Sequence, residues 1–411
     1  MIANMRGIRR RLGKRLGLRP KARGDFDPIR LFPEGPAEGR VIMSYATRVY
    51  RDLLEGKDFD RTHISAWQNF NMSRAFLDLG FQVDVFHFED HEYLPRGNYD
   101  VIVDVVSNLG RLADSLGPGT VKILYPMFCH WTVHNARSLA RHRALAERRG
   151  VALPPKRLLE PNDSVERADH IFCKGGAFGT RSYAYSKTPV VPVNQIHPHA
   201  INEFIERDHA ACARSFLWIG GSSAVHKGLD LVLEAFAGMP ELSLVVIGNV
   251  GDERRFVELY RKELYTLPNI RVAGWVDTMS TQFRELAARS VALVAPSATE
   301  LSCGSVIAGM MNGLIPIATE STDIDVSGIG LSITEDSVDG VRAAIARAAD
   351  LAPGALRELS YAARTASQER YGGDRFIASL RAAICQVLGV SPAAAWQRDD
   401  ARVRIPRMEL I

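Results

Sequence analysis

Short runs of Val, Ile and other apolar residues alternate along the chain with segments whose apolar positions follow helical spacing. The runs lack a regular polar–apolar alternation, which is typical of strands buried on both faces of a parallel sheet. In the first half they predict strands at Val41–Ser44, Val83–Phe88, Val101–Val105, Val121–Tyr125, His170–Cys173 and Val190–Val193. A helix that ends at Gly80 is predicted between the first two strands from Trp67, Phe70, Phe76, Leu77 and Leu79.

A second series of the same kind follows the segment Asn194–Arg214, which contains Pro198 and which we interpret as the crossover between two domains. Its predicted strands are Phe216–Ile219, Leu244–Ile247, Ile270–Ala273, Val291–Ala295, Ile315–Ala318 and Gly330–Ile333. Its predicted helices include Leu229–Ala237, Glu253–Leu264, Thr281–Ala288 and Ser305–Asn312. Two such series predict an α/β protein with two doubly wound, Rossmann-like domains that face each other across a cleft.

The same pattern sets the expected domain boundaries. We expect a basic N-terminal leader at 1–24, an N-terminal Rossmann-like domain at 25–205, a C-terminal Rossmann-like domain at 206–390 and a tail at 391–411. The 411 residues, of which 46% are hydrophobic and 24% charged, suit a globular protein with two cores. No apolar run approaches the ~20 residues that a membrane-spanning helix needs.

The positive charge of the chain is concentrated in the leader. Residues 1–24 hold nine Arg or Lys and no acid, so removing them from the net charge of +4 leaves −5 for the rest. A mildly acidic body argues against a nucleic-acid groove. Met5, Ile8, Leu12 and Leu16 follow helical spacing among these cations, which predicts binding to an anionic membrane surface. The alternative is a disordered basic leader, because three glycines interrupt the segment.

The cysteines and the N-terminus indicate a compartment. The five cysteines are scattered without close pairs, so they form neither a zinc motif nor a disulfide framework. The first residues lack the apolar stretch of a secretory signal. We therefore expect a cytoplasmic protein that is peripheral on the inner face of the membrane.

Two predicted strand ends in the second domain carry small and basic residues. The segment FLWIGGSSAVHKG places Gly221 and Ser222 after a strand and Lys227 at the start of a helix. Small residues let the backbone approach a ligand, and a lysine near a helix start favours phosphate. The segment LVVIGNVGD places Gly248 and Asn249 at the same sheet edge, where a plain turn is the alternative to a ligand contact.

A third segment has the most informative pattern. In VAPSATELSCGSVIAG a strand ends at Pro296, a polar loop carries Glu300, and a helix starts at Gly304 and Ser305. Free N–H groups at a helix start are able to hold a diphosphate. The alternative for Glu300 is a simple complement to the helix dipole. Lys174–Gly176, after a strand of the first domain, is interpreted as a tight turn, and the alternative is that it faces the cleft.

These motifs in this order resemble the C-terminal domain of family 4 retaining glycosyltransferases, which have the GT-B architecture. The resemblance covers residues 216–371. It implies that the N-terminal domain binds the acceptor and the C-terminal domain binds a nucleotide-sugar donor. It also implies that Lys227 contacts the donor phosphates, that Glu300 faces the transferred sugar, and that Gly304, Ser305 and Val306 receive the diphosphate.

Two positions depart from the family pattern. The second Glu of the family's E-x7-E pair, which binds the ribose, falls on Ala308, and the arginine that usually precedes the lysine is Ser222. Each loss removes a charged hydrogen bond worth roughly 1.5 to 3 kcal/mol. Glu320 and Asp323 are candidates for replacement acids.

One histidine of the first domain joins the candidate catalytic residues Glu300 and Lys227. His130 follows a predicted strand, where the family has a cleft histidine close to the reacting sugar. A packing role is the alternative. No cofactor and no metal are expected, since GT-B enzymes of this kind need no bound metal and the D-x-D patterns at Asp25, Asp58 and Asp323 lack the fold that uses them.

The predicted function is transfer of a sugar from a nucleoside-diphosphate donor to a glycan or lipid-linked acceptor with retention. We expect the reaction to serve cell-surface polysaccharide or lipopolysaccharide synthesis. The alternatives are a non-catalytic GT-B-fold sugar-binding or scaffold subunit, which Ser222 and Ala308 would favour, and a GT-B epimerase or phosphorylase.

Overall fold

A computed structural model describes residues 26–57, 63–197, 204–391 and 405–411 of the chain. The basic leader, Asp58 and Asp60 lie outside these residues, so the predicted membrane-binding segment is not described. Within the described residues, no helix has the length and apolarity needed to cross a membrane.

The N-terminal domain contains a mixed sheet in the order β14-β1-β3-β2-β4-β5-β6-β7. Strand β1 is antiparallel to both β3 and β14, while the strands from β3 to β7 run parallel. The bounds are β1 Ile29–Phe32, β2 Gly39–Tyr45, β3 Phe81–His87, β4 Val101–Asp104, β5 Val121–Leu124, β6 His170–Cys173, β7 Val190–Pro192 and β14 Arg407–Leu410.

Helices cover both faces of this sheet. A strand with two covered faces must be apolar on both sides, and all four residues of β4 are buried. The helices of the first domain are α1 Arg48–Leu54, α2 Ile64–Asp78, α3 Asn108–Leu112, α4 Trp131–Arg149, α5 Ser164–Arg167 and α6 Ala177–Arg181. The helix expected before Gly80 is therefore present as α2.

The C-terminal domain contains a fully parallel sheet in the order β10-β9-β8-β11-β12-β13. Its strands are β8 Ser215–Ile219, β9 Ser243–Ile247, β10 Ile270–Gly274, β11 Ala292–Ala295, β12 Ile315–Thr319 and β13 Leu331–Ile333. Renumbered within the domain, this is the Rossmann order 3-2-1-4-5-6. The order reverses between β8 and β11, and ligands of such sheets bind at that point, outside the carboxyl ends of the strands.

The helices of the C-terminal half follow the predicted series closely. The stretch expected as one helix over Glu253–Leu264 is divided into two at Tyr260. The observed helices are α7 His209–Cys212, α8 Leu229–Ala237, α9 Arg254–Leu259, α10 Arg261–Tyr265, α11 Thr281–Ala288, α12 Gly304–Met311, α13 Val338–Ala349, α14 Pro353–Arg370 and α15 Gly373–Leu388.

The expected end of the second domain at residue 390 and the tail at 391–411 need correction. Phe376, Leu380 and Ile384 of α15 are fully buried in the core of the N-terminal domain. Strand β14, in the expected tail, pairs with β1 of the same domain. The apolar face of α15 is evident in the sequence, but the identity of the domain that covers it depends on where the chain crosses back.

The chain crosses between the domains twice, and the two crossings are bonded to each other. The N–H of His197 donates to the carbonyl of Tyr371 at 2.9 Å, and the N–H of Asn194 donates to Ser379 Oγ at 2.9 Å. The N-terminal domain is therefore built from both ends of the chain.

Helix α4 joins the two domains through a row of arginines. Arg137, Arg141 and Arg148 lie on one side of the helix because their spacings of four and seven residues correspond to about one and two helical turns. Arg137 donates to the carbonyl of Ala298 at 2.6 Å, and Arg141 to that of Pro296 at 2.9 Å. These contacts hold α4 against the loop that carries Glu300.

A second contact between the domains uses Asp323. Its carboxylate accepts the N–H groups of Gly176 and Gly179 at 2.8 and 3.0 Å. Glu320 is exposed and paired with Arg181. Both acids are thus engaged at this contact, and the hypothesis that they replace the missing ribose ligand stays a prediction.

Candidate active site

The reversal of strand order brings together two loops that the sequence separates by more than seventy residues. The loop after β8 carries Lys227, and the loop after β11 carries Glu300. Lys227 Nζ lies 2.5 Å from Glu300 Oε1, and the two side chains are 14% and 13% exposed. Lys227 and Glu300 thus meet at the position where Rossmann sheets bind ligands.

The electrostatics of Glu300 favour its ionised form. Burial alone would raise the pKa of this carboxyl, but the positive charges of Lys227 and Arg157 outweigh the burial and hold its pKa below the ordinary value. The Glu300 side chain is consequently a carboxylate at neutral pH. A carboxylate accepts hydrogen bonds from hydroxyl groups, as those of a sugar.

A glycine allows the two loops to approach each other. Gly228 follows Lys227 with φ of +73°, and a Cβ added there would lie 2.3 Å from the carbonyl oxygen of Pro296. Any other residue would force the Lys227 loop away from the Glu300 loop. Behind them, the N–H of Ala298 donates to the carbonyl of His226 at 2.8 Å.

The other predicted donor-binding positions surround this pair. Gly221, Ser222 and Asn249 are exposed at the carboxyl edge of the sheet. Gly248 is buried with φ of +144°, and an added Cβ would lie 1.8 Å from the carbonyl oxygen of Gly220. Gly248 therefore supports the loop packing, while Gly221, Ser222 and Asn249 face solvent.

Ser223 adds an unsatisfied polar group to the first loop. Its side chain is 4% exposed, its φ is +73°, and its hydroxyl has no hydrogen-bond partner among the described residues. A buried hydroxyl without a partner costs free energy. It is therefore available for a polar ligand.

The start of α12 is open to a ligand. Cys303 precedes the helix without a side-chain cap, and the N–H groups of Gly304 and Ser305 donate to no acceptor in the described part of the chain. Ile64, in the first turn of α2, faces this helix start, since a Cβ added to Gly304 would lie 2.8 Å from its Cδ1. The open end of α12 thus points into the cleft between the domains.

Val306 and Ala308 lie deeper in the same helix. Val306 is fully buried in an apolar cluster, so only its backbone is able to face a ligand. Ala308 is 3% exposed and offers no polar side chain. The departure noted at Ala308 therefore leaves no acid at this position of the helix.

Three residues that we did not single out as site residues from the sequence also lie at the site. The rings of His226 and His134 pack in a tilted arrangement with centroids 4.9 Å apart, and His226 Nε2 lies 2.9 Å from the carbonyl oxygen of Thr299. Burial lowers the pKa of His226 to about 3, so this imidazole is neutral. His134 Nε2 in turn lies 2.6 Å from the carbonyl oxygen of Arg157.

Arg157 supplies a positive charge from the N-terminal domain. Its guanidinium lies over the ring of Phe128 at 5.6 Å, and Cys129, the next residue, donates to the carbonyl of Glu300 at 3.0 Å. Within the described ranges, no carboxylate lies within ion-pair distance of Arg157. The sequence offers no local signal for this residue, because only the fold of the loop 150–163 brings it to the second domain.

His130 lies next to Cys129 but has other partners. It is 6% exposed; its Nδ1 lies 2.8 Å from Thr132 Oγ1, and its Nε2 lies 2.9 Å from the hydroxyl of Tyr185. Burial lowers its pKa, so the ring is neutral. Both ring nitrogens are occupied in this conformation, and His130 makes no direct bond to Lys227 or Glu300. Its catalytic role stays a prediction.

Lys174 has a more specific environment than a tight turn. It is 7% exposed, its Nζ donates to Gln68 Oε1 at 3.1 Å, and Nζ lies 4.9 Å from the ring centroid of Tyr125. Burial lowers the pKa of Lys174 to about 8, and the neighbouring Cys173 opposes this only weakly. The Lys174 side chain therefore points into the protein, and the interpretation of Lys174–Gly176 as a tight turn stays a prediction.

The buried charge of Lys174 predicts a pH-dependent stability. Its pKa falls from 10.5 to about 8 on folding, so the unfolded chain binds the proton more tightly. Stability from this group is therefore lower below pH 8 and rises between pH 8 and 10.5, by about 3 kcal/mol in total. Lys174→Met lacks this penalty. We expect the free energy of unfolding of this variant in urea to exceed that of the wild type most at pH 7, and the excess to shrink towards pH 10. A difference in unfolding free energy that does not change with pH would contradict the buried charge.

Metal ligands are not grouped in the parts of the chain that the structure describes. No cluster of three His, Cys, Asp or Glu side chains is present there. Asp323, the D-x-D residue nearest to the site, is bonded to Gly176 and Gly179 as described above. The expectation that the reaction needs no metal stays a prediction.

Comparisons with known proteins agree with this geometry. Residues 213–356 match the model of the family described as glycosyl transferases group 1. No curated protein sequence matches the chain. The match covers the β8 and β11 loops with Lys227 and Glu300.

Solved structures share the architecture at low sequence identity. Sucrose-phosphate synthase from Thermosynechococcus elongatus superposes with a TM-score of 0.58 at 14% identity, over 86% of this chain and 99% of the other. HepE of Anabaena, in complex with UDP and glucose, gives 0.52 at 11%, over 86% and 100%. The lipopolysaccharide outer core galactosyltransferase WaaB in its apo form gives 0.51 at 12%, over 84% and 99%. The chain thus has the GT-B fold of two Rossmann-like domains, and its C-terminal domain matches the group 1 glycosyl transferase family.

Proposed function

We propose that this protein is a retaining glycosyltransferase that moves a hexosyl-type sugar from a nucleoside-diphosphate donor to a glycan or lipid-linked acceptor. The observation that carries the proposal is the meeting of Lys227, Glu300 and the uncapped start of α12 at the switch point of the second sheet. A cation, free N–H groups and a carboxylate in one place suit the two halves of such a donor, a diphosphate and a sugar.

The diphosphate is held by positive charge from both domains. Lys227 and the N–H groups of Gly304 and Ser305 lie on the C-terminal domain. Arg157 reaches the site from the N-terminal domain and replaces the arginine that is absent at Ser222. These groups stabilise the negative charge that develops as the nucleoside diphosphate departs, and they do so without moving during the reaction.

Glu300 binds the sugar. When the donor binds, Lys227 turns to the donor phosphates, and the Glu300 carboxylate then accepts hydrogen bonds from sugar hydroxyls. The ion pair between Lys227 and Glu300 therefore has to give way when the donor binds. The exchange is favourable because a diphosphate carries more negative charge than one carboxylate.

Retention determines where each bond forms. The acceptor oxygen bonds to the anomeric carbon on the face that the diphosphate leaves, and the bond between that carbon and the phosphate oxygen breaks. The bonding electrons go to the diphosphate, and the acceptor hydroxyl proton passes to its departing oxygen. No residue of the enzyme is attached to the sugar in this scheme. No metal or other cofactor takes part.

The acceptor enters from the N-terminal domain, on the side of His130. UDP and glucose in HepE, and the lipopolysaccharide assignment of WaaB, support a nucleotide-sugar donor and a cell-surface glycan product. The basic residues 1–24 support a cytoplasmic protein that meets its acceptor at the inner face of an anionic membrane.

A non-catalytic GT-B sugar-binding subunit is the second candidate. Ser222 and Ala308, which remove a phosphate contact and a ribose contact, favour it. A subunit of this kind would bind a nucleotide sugar without consuming it.

Product analysis tests the proposal. We expect the protein, with a nucleotide sugar of an α-linked anomer and a glycan acceptor extract, to release the nucleoside diphosphate and form an α-linked product in proton NMR. A β-linked product would refute retention. Binding without release of diphosphate would favour the non-catalytic subunit, and an epimerised sugar still on its nucleotide would indicate an epimerase.

A further inference from the structure

A polar cluster at the carboxyl edge of the N-terminal sheet has no role in the donor site. Tyr45 ends β2, Tyr125 follows β5, and Lys174 follows β6. Met43, Ile123 and Phe172 belong to the core between the sheet and α2. Tyr45, Tyr125 and Lys174 each follow one of them by two residues, so their side chains lie on the same face of the sheet. The order of the parallel strands reverses between β2 and β4, so Tyr45 stands at the switch point of this domain.

The cluster contains polar atoms that the described residues do not satisfy. The hydroxyls of Tyr45 and Tyr125 are buried and have no hydrogen-bond partner there. Lys174 Nζ has an amide oxygen, that of Gln68, and a tyrosine ring, but no described carboxylate forms an ion pair with it. Buried cations are normally paired with an anion, and buried hydroxyls are normally hydrogen-bonded.

The cluster also lies close to the proposed donor site. Gln68 bonds to Gln195 at 2.7 Å, and Gln195 reaches across the cleft to the carbonyl of Ser302 at 3.1 Å. Ile64, which faces the start of α12, precedes Gln68 by four residues, about 6 Å along α2. The cluster is therefore connected to the loop before α12 through Gln68 and Gln195.

We propose that Lys174, Tyr45 and Tyr125 form a subsite that binds a carboxylate or phosphate group on the acceptor. The inference rests on the proposed function, since it places the acceptor opposite the donor. An anion there would supply the counter-charge of Lys174 and accept both tyrosine hydroxyls. The acceptor is thus an anionic glycan or a sugar phosphate rather than a neutral sugar.

Calorimetric titration with three small probes tests the subsite. Glucuronic acid carries a carboxylate, glucose 6-phosphate carries a phosphate, and glucose carries neither. We expect at least one anionic probe to bind the full-length protein more tightly than glucose, and the tighter of the two identifies the anion. Lys174→Met should weaken this binding ten- to hundredfold, the cost of one charged hydrogen bond. Lys187→Met, which changes an exposed lysine of the same domain, should leave it unchanged.

Tyr125→Phe provides a second variant that removes only the hydroxyl. It should weaken the binding of the anionic probe several-fold, and it keeps the test decisive if Lys174→Met does not fold. Equal binding of all three probes, or anionic binding that neither variant changes, would overturn the subsite.

A parallel titration with UDP and GDP separates this inference from the proposed function. Nucleotide binding that is lost in Lys227→Met but retained in Lys174→Met supports the donor site whatever the sugar probes do. If neither nucleotide binds while an anionic probe still depends on Lys174, the proposed donor site fails and the subsite stands.

Discussion

Replacing Lys227 with methionine is expected to lower kcat/KM for the nucleotide sugar by about two to three orders of magnitude, the usual effect of removing one group that stabilises departing charge. Lys227 is the cation that stands beside Glu300 at the switch point. Methionine keeps most of the side-chain volume, so the loop after β8 retains its packing. The measurement is release of nucleoside diphosphate at varied donor concentration.

A matched control distinguishes the loss of a positive charge at the site from the loss of a positive charge elsewhere on the same domain. Lys262→Met removes an exposed lysine from α10 of the same domain and should leave kcat/KM unchanged. Thermal unfolding of both variants checks that the fold persists. Wild-type turnover in Lys227→Met would show that the diphosphate is bound elsewhere.

Replacing Arg157 with alanine is expected to raise KM for the donor by ten- to hundredfold, which corresponds to roughly 1.5 to 3 kcal/mol for a hydrogen bond to a charged group. The residue lies over Phe128, beside the contact between Cys129 and Glu300. It would supply from the first domain the charge that Ser222 does not supply from the second. Donor kinetics of the variant provide the measurement.

A second substitution makes this prediction specific. Ser222→Arg returns a cation to the exposed loop after β8, so the double variant Arg157→Ala with Ser222→Arg should recover a large part of the lost affinity. Arg143→Ala, on an exposed position of α4, serves as the control without effect. If Ser222→Arg raises activity equally with and without Arg157, the two positions do not share one role.

The sequence predicted the strands of both parallel sheets well because those strands are buried on both faces. Strand β6 and helices α8 and α11 have the predicted bounds, and most other strands differ by one or two residues at their ends. For these strands, the apolar content of the sequence was sufficient to predict their positions. Order along the chain then placed Lys227 and Glu300 at carboxyl ends of strands, although their contact depends on the reversal of strand order.

Strands β1 and β14 were missed for a physical reason. Strand β14 is the edge strand and β1 lies next to it. Both are paired antiparallel and carry charged residues, Arg30 in β1 and Arg407 and Glu409 in β14, so they lack a continuous apolar run. Their pairing joins residues as far as 381 positions apart in the sequence, since Ile29 pairs with Leu410. No local pattern specifies such a contact.

Helix α4 was missed because the partners of its buried face lie far away in the sequence. The buried face of α4 carries His134, Ser138 and Arg141. They contact the carbonyl of Arg157, the ring nitrogen of His226 and the carbonyl of Pro296, respectively. Such a face is not apolar in the sequence. Arg157 and Lys174 are likewise defined by tertiary contacts alone.

The central claim, that the switch point of the second domain is a nucleotide-sugar site, is tested most directly by a screen of donor turnover. Wild-type protein and Glu300→Gln are incubated with UDP, GDP, ADP and CMP sugars, and release of the nucleotide is followed with and without acceptor extract. We predict that one donor is consumed by the wild type and that Glu300→Gln, which keeps the shape of the side chain but loses its charge, consumes it at least tenfold more slowly. Consumption of no donor, or equal consumption by both proteins, would contradict this account.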